Sequence, residues 1–151
     1  MAVTGVKTVD AAVAFRSRDE AREVIDRTFR LVDEDERAGP VLRAAGLRER
    51  LELSDLGLAV GLEAGTGDEC IEWTFAERPD FKPKISLTMD SAVANSILQG
   101  AESIGVAIAR RRIMVEGDAG AALIHLPATR LISKHYRRLV ERDYPHLVIS
   151  R

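Results

Sequence analysis

Cysteine, aromatic residues and long apolar runs are all scarce in this sequence of 151 residues. It contains 1 cysteine, and aromatic residues make up 5% of it. One cysteine cannot form an internal disulfide, and the neighbours of Cys70 are acids that discourage a reactive thiolate, namely Asp68, Glu69 and Glu72. The apolar runs are a few residues long, against the roughly 20 needed to cross a bilayer. A disulfide-based scaffold and a membrane-spanning helix are therefore excluded as predictions.

Motifs that accompany enzyme chemistry are also missing. The segment Gly65-Thr-Gly67 begins like a dinucleotide-binding loop, but it lacks the third glycine and leads into a strand pattern. Neither a phosphate-binding Gly-Lys-Ser/Thr loop nor a Gly-x-Ser-x-Gly elbow occurs. The histidines are spaced too widely for one helix or strand to pair them on a metal, at His125, His135 and His146. We expect no cofactor, no metal and no catalysis; His135 with Tyr136 remains the one catalytic alternative.

The charge is unevenly distributed along the chain. Residues 1–80 contain 11 basic and 18 acidic residues, whereas residues 81–151 contain 11 basic and 6 acidic ones. The chain has 1 Trp, 2 Tyr and 4 Phe, with no base-stacking motif beside its arginines. We therefore expect no nucleic-acid binding, and we expect the basic half either to complement the acidic half or to form one basic face.

Helical periodicity dominates the first third of the chain. The spacing of Ser17 and Glu20 is that of a capping box, and the apolar stripe behind it predicts a helix over 18–32. Pro40 suits the first turn of a second, short helix, and Gly46 suits its end.

From Leu51 the apolar period changes to 2, which predicts strands. The bulky residues of the first strand alternate with small ones, at Leu56, Leu58, Val60 and Leu62. A turn at Gly65–Asp68 joins it to a second strand as a hairpin, and a third strand follows at Ile85, Leu87 and Met89. One apolar face on each strand predicts an antiparallel sheet covered on one side.

Helices and one more strand fill the remainder. Asp90 is a good N-cap for a helix that stops at Gly100, and a short helix follows around Ile104, Ala107 and Ile108. A strand is predicted through Ile113 and Val115, and a last helix over 128–142.

A series of short motifs extends from the second strand into the last helix. In order they are Trp73-Thr-Phe75, Lys82-Pro-Lys-Ile-Ser-Leu-Thr-Met89, Asp90 to Gly100, Val106 to Ala109, and Arg112 to Asp118. Together they resemble the sterol carrier protein type 2 family, whose members combine an aromatic strand, Lys-Pro before alternating apolar residues, an Asp-initiated helix and a basic strand ending in Gly-Asp. The resemblance covers roughly residues 36 to 140 and identifies the chain as a bacterial stand-alone member.

The resemblance implies an α+β fold in which helices cover one face of a five-stranded, mostly antiparallel sheet, with an apolar tunnel between the two layers. It also implies non-catalytic binding or transfer of a fatty acyl, sterol-like or quinone-like lipid. Carried over residue by residue, the ligand-binding side chains are Leu58, Val60, Ile71, Trp73, Phe75, Ile85, Leu87, Met89, Val93, Ile97, Ile104, Ile108, Ile113 and Leu123.

The chain departs from the family pattern in three places. Arg111 stands where the family usually has glycine, which calls the turn geometry into question but not the ligand role. The C-terminus is not a peroxisomal address, and we expect a cytoplasmic protein. The first helix lies outside the match, so we divide the chain into an extension (1–35), a lipid-binding domain (36–143) and a tail (144–151). That helix is free to cover the tunnel, to pack on a second copy in a homodimer, or to dock a partner.

Two further interpretations depend on the surface. An interaction or oligomerisation module with a filled core, docking a partner enzyme, is the alternative to lipid binding. The last helix also carries a basic outer face that would contact anionic membranes transiently, formed by Arg130, Lys134, Arg137 and Arg138.

Overall fold

The computed structural model describes residues 13–150. Its first helix, α1, spans Arg18–Glu34, which confirms the predicted helix. The Ser17 hydroxyl accepts a hydrogen bond from the Glu20 amide at 3.1 Å, and Glu20 reaches back to the amide of Arg16 at 2.9 Å. The helix therefore starts at the predicted capping box.

The second helix, α2, spans Ala38–Ala45 and ends at Gly46, as predicted. Gly46 adopts a left-handed backbone with φ 63°, which glycine tolerates without steric cost.

Five strands form one mixed sheet. They are β1 (Arg48–Leu53), β2 (Leu58–Ala64), β3 (Ile71–Thr74), β4 (Ile85–Met89) and β5 (Ile113–Gly117), in the order β3-β2-β1-β4-β5. β2 and β3 form the predicted antiparallel hairpin, with Leu62 opposite Trp73. The predicted sheet of mostly antiparallel strands is confirmed, since only the central pair, β1 and β4, runs parallel.

The middle strand β1 was not predicted as a strand of its own. Its sequence, Arg-Glu-Arg-Leu-Glu-Leu, contains only two apolar residues, so its period-2 pattern is hidden. Glu49, Leu51 and Leu53 lie in register with the apolar residues of β2 and β4, and they therefore face the helices.

The remaining helices follow β4. They are α3 (Ser91–Leu98), α4 (Ile104–Ala109), α5 (Ala121–Ile124) and α6 (Leu126–Asp143), with a 3-10 turn at Pro145–Leu147. The last helix begins two residues earlier than predicted, because Pro127 sits within its first turn, where a missing N–H does no harm.

The cap of α3 differs from the prediction. Asp90 occupies the N-cap position, but its side chain makes no capping hydrogen bond. Asp55, from the turn between β1 and β2, accepts hydrogen bonds from the Ser91 amide at 2.8 Å and the Ser91 hydroxyl at 2.7 Å. The helix is therefore anchored to the sheet by a residue distant in sequence.

The first helix shares the single hydrophobic core. Its buried face packs against α6 and β3, through Ala21, Val24, Ile25, Thr28, Phe29 and Val32. Within residues 13–150, no helix is long and apolar enough to cross a bilayer.

Candidate ligand-binding site

Most of the side chains predicted to bind a ligand meet in the core between helices and sheet. These side chains are exposed by 7% or less, so most of their surface packs against protein atoms. They are Leu58, Val60, Ile71, Ile85, Leu87, Met89, Val93, Ile97 and Ile113.

The other five lie toward the surface. Ile104 and Ile108 are half-buried on α4, and Leu123 on α5 is 75% exposed. Trp73 is half-buried at the β3 edge, where its indole N–H donates to Asp26 at 2.9 Å. Phe75 lies under the Arg22 guanidinium and lines a small cavity of about 160 Å³ beside the loop after β3.

One side chain in the middle strand of the sheet is less buried than its neighbours. Leu51 on β1 lies directly between Val60 and Leu87, which are 2% and 5% exposed. Leu51 itself is only half-buried, although a middle strand under helices is normally the best covered. The packing above Leu51 is therefore looser than above Val60 and Leu87.

A groove of about 1160 Å³ opens at the end of the sheet where β4 stops and β5 starts. We call it the end groove. It is lined by Val13, Ser54, Thr88, Met89, Asp90, Ala92, Val93, Ser96, Gly100, Ala101, Glu102, Arg110, Arg111, Arg112, Met114, Ile149 and Ser150. Met89 and Val93 belong both to this groove and to the hydrophobic core, so the groove reaches the apolar interior.

The end groove is amphipathic. Three consecutive arginines stand in its wall, and Arg112 is held by Glu102 at 2.7 Å. Apolar side chains make another part of the wall, from Val13, Met89, Ala92, Val93, Met114 and Ile149. A ligand with both an apolar body and a polar end matches this lining.

The turn before β5 has a backbone geometry that favours glycine. Arg111 has φ 60°, in the left-handed region. The Arg112 amide donates to Ala107 and the Arg111 amide to Ile108, which is the Schellman arrangement that ends α4. Arginine therefore occupies a position where glycine would be free of strain.

A buried polar pair went unpredicted. His125, 1% exposed, lies with its Nδ1 2.9 Å from the Glu49 carboxylate, and its Nε2 has no hydrogen-bond partner among the described residues. The signal in the sequence was Glu49 itself, which shares the period-2 positions of Leu51 and Leu53 on an apolar face.

A second buried polar cluster ties the C-terminus to α3. Asn95, fully buried, accepts hydrogen bonds from the Tyr136 hydroxyl at 2.6 Å and from Gln99 at 2.7 Å. Its amide donates to the Leu147 carbonyl at 3.0 Å. Burial raises the pKa of the Tyr136 hydroxyl far above its usual value, so this hydroxyl stays protonated.

His135 and Tyr136 do not form a catalytic pair. The His135 Nε2 lies 2.9 Å from the Asp35 carboxylate, whereas the Tyr136 hydroxyl is bound to Asn95. The two side chains have separate partners, and both are used in holding helices together. In the described part of the chain, no group of three His, Cys, Asp or Glu residues could hold a metal ion.

Asp35 makes the stability of the fold depend on pH. Its carboxylate is hydrogen-bonded by Arg37, which has the larger effect, and by His135. Both contacts hold the pKa of Asp35 well below its usual value. Because the Asp35 pKa is lower in the folded than in the unfolded protein, the ionised carboxylate stabilises the fold. This stabilisation is complete above the unfolded-state pKa of about 4 and is lost as the pH falls below that value. We expect Asp35→Asn to lower the urea midpoint at pH 7 and the difference from wild type to shrink between pH 5 and pH 2. A difference that stays constant over that range would contradict this assignment.

The predicted basic face is mostly exposed. Arg130, Lys134 and Arg138 project from α6 into solvent. Arg137 is half-buried, with its Nε 2.9 Å from Glu141 and its Nη1 3.5 Å from the Gln99 carbonyl, so it turns toward α3.

Several solved structures with a similar fold are sterol carrier protein 2 domains. The resemblance found in the sequence is confirmed at the level of the fold. Sequence comparison adds nothing: no protein-family model matches the chain, and no curated protein matches it.

Two such structures cover most of the chain. The UbiJ-SCP2 ubiquinone synthesis protein aligns with a TM-score of 0.56 and 14% identity, over 74% of this chain and 97% of that one. Apo sterol carrier protein 2 from Yarrowia lipolytica aligns with a TM-score of 0.56 and 11% identity, over 83% and 98%. The chain also matches 15% of the length of the sec-alkylsulfatase Pisa1 from Pseudomonas sp., with a TM-score of 0.47 and 13% identity over 62% of this chain. That last likeness is too partial to bear on chemistry.

Proposed function

We propose that this protein binds a hydrophobic or amphipathic small molecule without chemically changing it. The observation that carries the proposal is the end groove, an open space of about 1160 Å³ that meets the core at Met89 and Val93. Ligand pockets commonly measure about 300 to 1000 Å³, so this groove is large enough for a lipid-sized molecule.

The fold supports the same class of ligand. Proteins that share it are named for sterol carriage and for ubiquinone synthesis, and both names concern hydrophobic molecules. Fatty acyl, sterol-like and quinone-like lipids are the candidates. Binding without turnover is supported by the separation of His135 and Tyr136, since the His135 Nε2 lies against Asp35 and the Tyr136 hydroxyl is bound to Asn95.

Filling the end groove should abolish binding. Ala92 is half-buried in the groove wall, and Ala92→Trp would place an indole in the ligand's space. Ala44→Trp, at an exposed position on α2, is the matched control. Lipids extracted from the freshly purified protein would be identified first. Palmitate, cholesterol and a short-chain ubiquinone would then be titrated, and binding would be measured by native mass spectrometry.

We expect wild type and Ala44→Trp to retain at least one of these lipids and Ala92→Trp to bind it about tenfold more weakly or worse, a loss of about 1.4 kcal/mol or more. Wild-type protein that holds no extracted lipid and binds none of the three probes would overturn the proposal. Equal lipid binding by both tryptophan variants would show that the ligand binds outside the end groove.

The fluorescence of Trp73 adds a measure of how deep the ligand reaches. Trp73 lies on β3, the sheet edge opposite β5, about 19 Å away at the usual strand spacing. A ligand confined to the end groove leaves this fluorescence unchanged. A ligand that extends through the predicted tunnel along the sheet changes it.

Contact with anionic membranes is a further part of the proposal. We expect weak binding to phosphatidylglycerol vesicles and none to phosphatidylcholine, because exposed basic residues contribute about 1 kcal/mol each near an anionic surface. Lys134→Glu with Arg138→Glu should reduce co-sedimentation about tenfold or more at 0.1 M salt, and 1 M salt should abolish it. Arg18→Glu with Lys82→Glu changes the same charge at exposed positions elsewhere. Equal losses in both double variants would remove any special role for α6.

A second candidate function is self-association with a filled core. It is favoured by apolar side chains left in solvent on α4 and α5, where Val106 is 45%, Leu123 75% and Ile124 59% exposed. Native mass spectra of the same samples distinguish the two functions, since a lipid-free dimer supports association and a lipid-bound monomer supports binding.

A further inference from the structure

The two edges of the sheet are protected to different extents. At the β3 edge, the Asp33 carboxylate on α1 accepts hydrogen bonds from the Cys70 amide at 2.8 Å and the Ile71 amide at 3.3 Å. These bonds occupy amides at the start of the edge strand. An edge strand that keeps its backbone groups unpaired is a template for another strand, so the opposite edge, β5, is the one to examine.

The backbone groups of β5 alternate in direction. The Asp118 amide, directly after β5, donates to the Lys84 carbonyl, directly before β4, at 3.0 Å. Residues two apart in a strand direct their backbone groups to the same side, so the even-numbered residues of β5 pair with β4 and the odd-numbered ones point away from the sheet. Within residues 13–150, these outward groups form no hydrogen bond; they belong to Ile113, Val115 and Gly117.

Exposed apolar side chains are concentrated at this edge. In the described part of the chain, all the large ones lie on β5 or on the helices next to it in sequence. Met114 is on β5, Val106 is on α4, which contacts β5, and Leu123 and Ile124 are on α5, which begins four residues after β5 ends. Lysine or proline commonly shields an edge strand, but β5 has neither, and Glu116 is its one charged residue. An unshielded edge with this apolar border is typical of an interaction surface.

We propose that β5 pairs antiparallel with β5 of a second copy of this chain, around a two-fold axis at Val115, and so joins two sheets into one. In this register Val115 lies opposite itself and Ile113 lies opposite Gly117, so every outward residue pairs. An axis one residue earlier or later leaves one of them opposite a residue outside the strand. The inference rests on the second candidate function, self-association, and is independent of lipid binding.

The two ends of β5 carry opposite charges, which favours a second copy over an unrelated strand. In the register centred on Val115, Arg112 lies opposite Asp118 of the second copy, and the same pair forms at the other end. Arg112 bonds to Glu102 at 2.7 Å, yet its side chain is 42% exposed and retains further N–H donors. Asp118 accepts the Gly120 amide through Oδ1, at 2.9 Å, which leaves Oδ2 to face the arginine.

The flanking helices add apolar contacts in the same arrangement. Because the paired strands are antiparallel, the start of one β5 meets the end of the other, and α4 of one copy flanks α5 of the second. Val106 then meets Leu123 and Ile124 of the second copy, which removes apolar surface from water. Arg112 and Met114 also line the end groove, so the second copy borders that groove.

Exchanging the two charges tests the register. Arg112→Asp places acids opposite each other at both ends of the interface, and Asp118→Arg places arginines there. We expect each variant alone to dimerise about tenfold more weakly than wild type or worse, measured by sedimentation velocity. An equimolar mixture of the two variants should regain wild-type dimerisation, because each mixed pair is again oppositely charged. Arg130→Asp, at an exposed position on α6, makes the same charge change and should dimerise as wild type does.

Cysteine cross-linking locates the axis independently of charge. Residues directly opposite in a hydrogen-bonded pair have Cα atoms about 5.5 Å apart, within the range of a disulfide, so Val115→Cys should form a cross-linked dimer on oxidation. Glu116 lies diagonally from its copy, at about 7 to 8 Å, so Glu116→Cys should cross-link more slowly although it is more exposed. Non-reducing electrophoresis gives the two rates.

The outcomes separate the interface from self-association in general. Dimers that persist in both charge variants, a mixture that does not recover, or equal cross-linking at the two cysteines overturns the β5 interface and leaves self-association through another surface. Wild-type protein that stays monomeric at its highest soluble concentration overturns the interface and self-association together. Neither outcome bears on lipid binding, which the lipid titrations measure separately.

Discussion

Replacing Asn95 with alanine is expected to lower the free energy of unfolding by about 3 to 5 kcal/mol. The side chain is fully buried and bonds to Tyr136, to Gln99 and to the Leu147 carbonyl. Its removal leaves the Tyr136 hydroxyl without a partner in an apolar interior and leaves a cavity. Urea denaturation followed by circular dichroism measures the change.

Two further variants, one on α6 and one on α3, serve as comparisons for the loss of stability expected at Asn95. Tyr136→Phe removes one hydroxyl and should cost about 1 to 2 kcal/mol. Ser96→Ala, at the next position of α3 and half-buried, should change stability by less than about 0.5 kcal/mol. A loss at Asn95 no larger than that at Ser96 would show that the cluster does not hold the C-terminal segment to α3.

Leucines in adjacent strands should respond differently to the same truncation. Leu87→Ala and Leu53→Ala remove side chains 5% and 1% exposed, and each should cost about 3 to 4 kcal/mol. Leu51→Ala, in register with Leu87 on the neighbouring strand, should cost only about 1 to 2 kcal/mol, because a half-buried side chain loses fewer contacts. Guanidinium denaturation of the three variants gives the comparison.

Ligand binding by the same leucine variants is the second measurement. If the ligand contacts the accessible part of Leu51, Leu51→Ala should also change which chain length binds best. Equal destabilisation by Leu51→Ala and Leu87→Ala would mean that the layer above β1 is fully packed, and the tunnel prediction would then lose its structural basis.

The sequence was most informative where apolar periodicity was clean. The stripe along α1, the alternation in β2 and β4 and the caps at Ser17 and Gly46 each specified an element that the structure contains. Local rules were sufficient there because side-chain direction follows directly from helix or strand period. The family resemblance then supplied the order of the remaining elements.

Features that depend on residues distant in sequence could not be predicted. Four of the six residues of β1 are charged, so only the sheet reveals which of its faces is buried. Asp55 caps α3, and Glu49 meets His125 across 76 residues. The end groove likewise exists only after α3, the turn at Arg111 and the C-terminal segment come together. The geometry of the turn at Arg111 was the open question, and the structure places this arginine in the left-handed region with φ 60°.

The parallel pairing of β1 with β4 has a consequence for folding kinetics. Glu49 lies opposite Ile85, so the two central strands can join only after a loop of more than thirty residues has closed. Neighbouring pairs such as β2 with β3 close far shorter loops and can form earlier. Rates fall as contacting residues become more distant in sequence, so we expect refolding in milliseconds to seconds, slower than a helical bundle of this length. The central seam of the sheet would be the last part of it to become protected against amide hydrogen exchange during refolding.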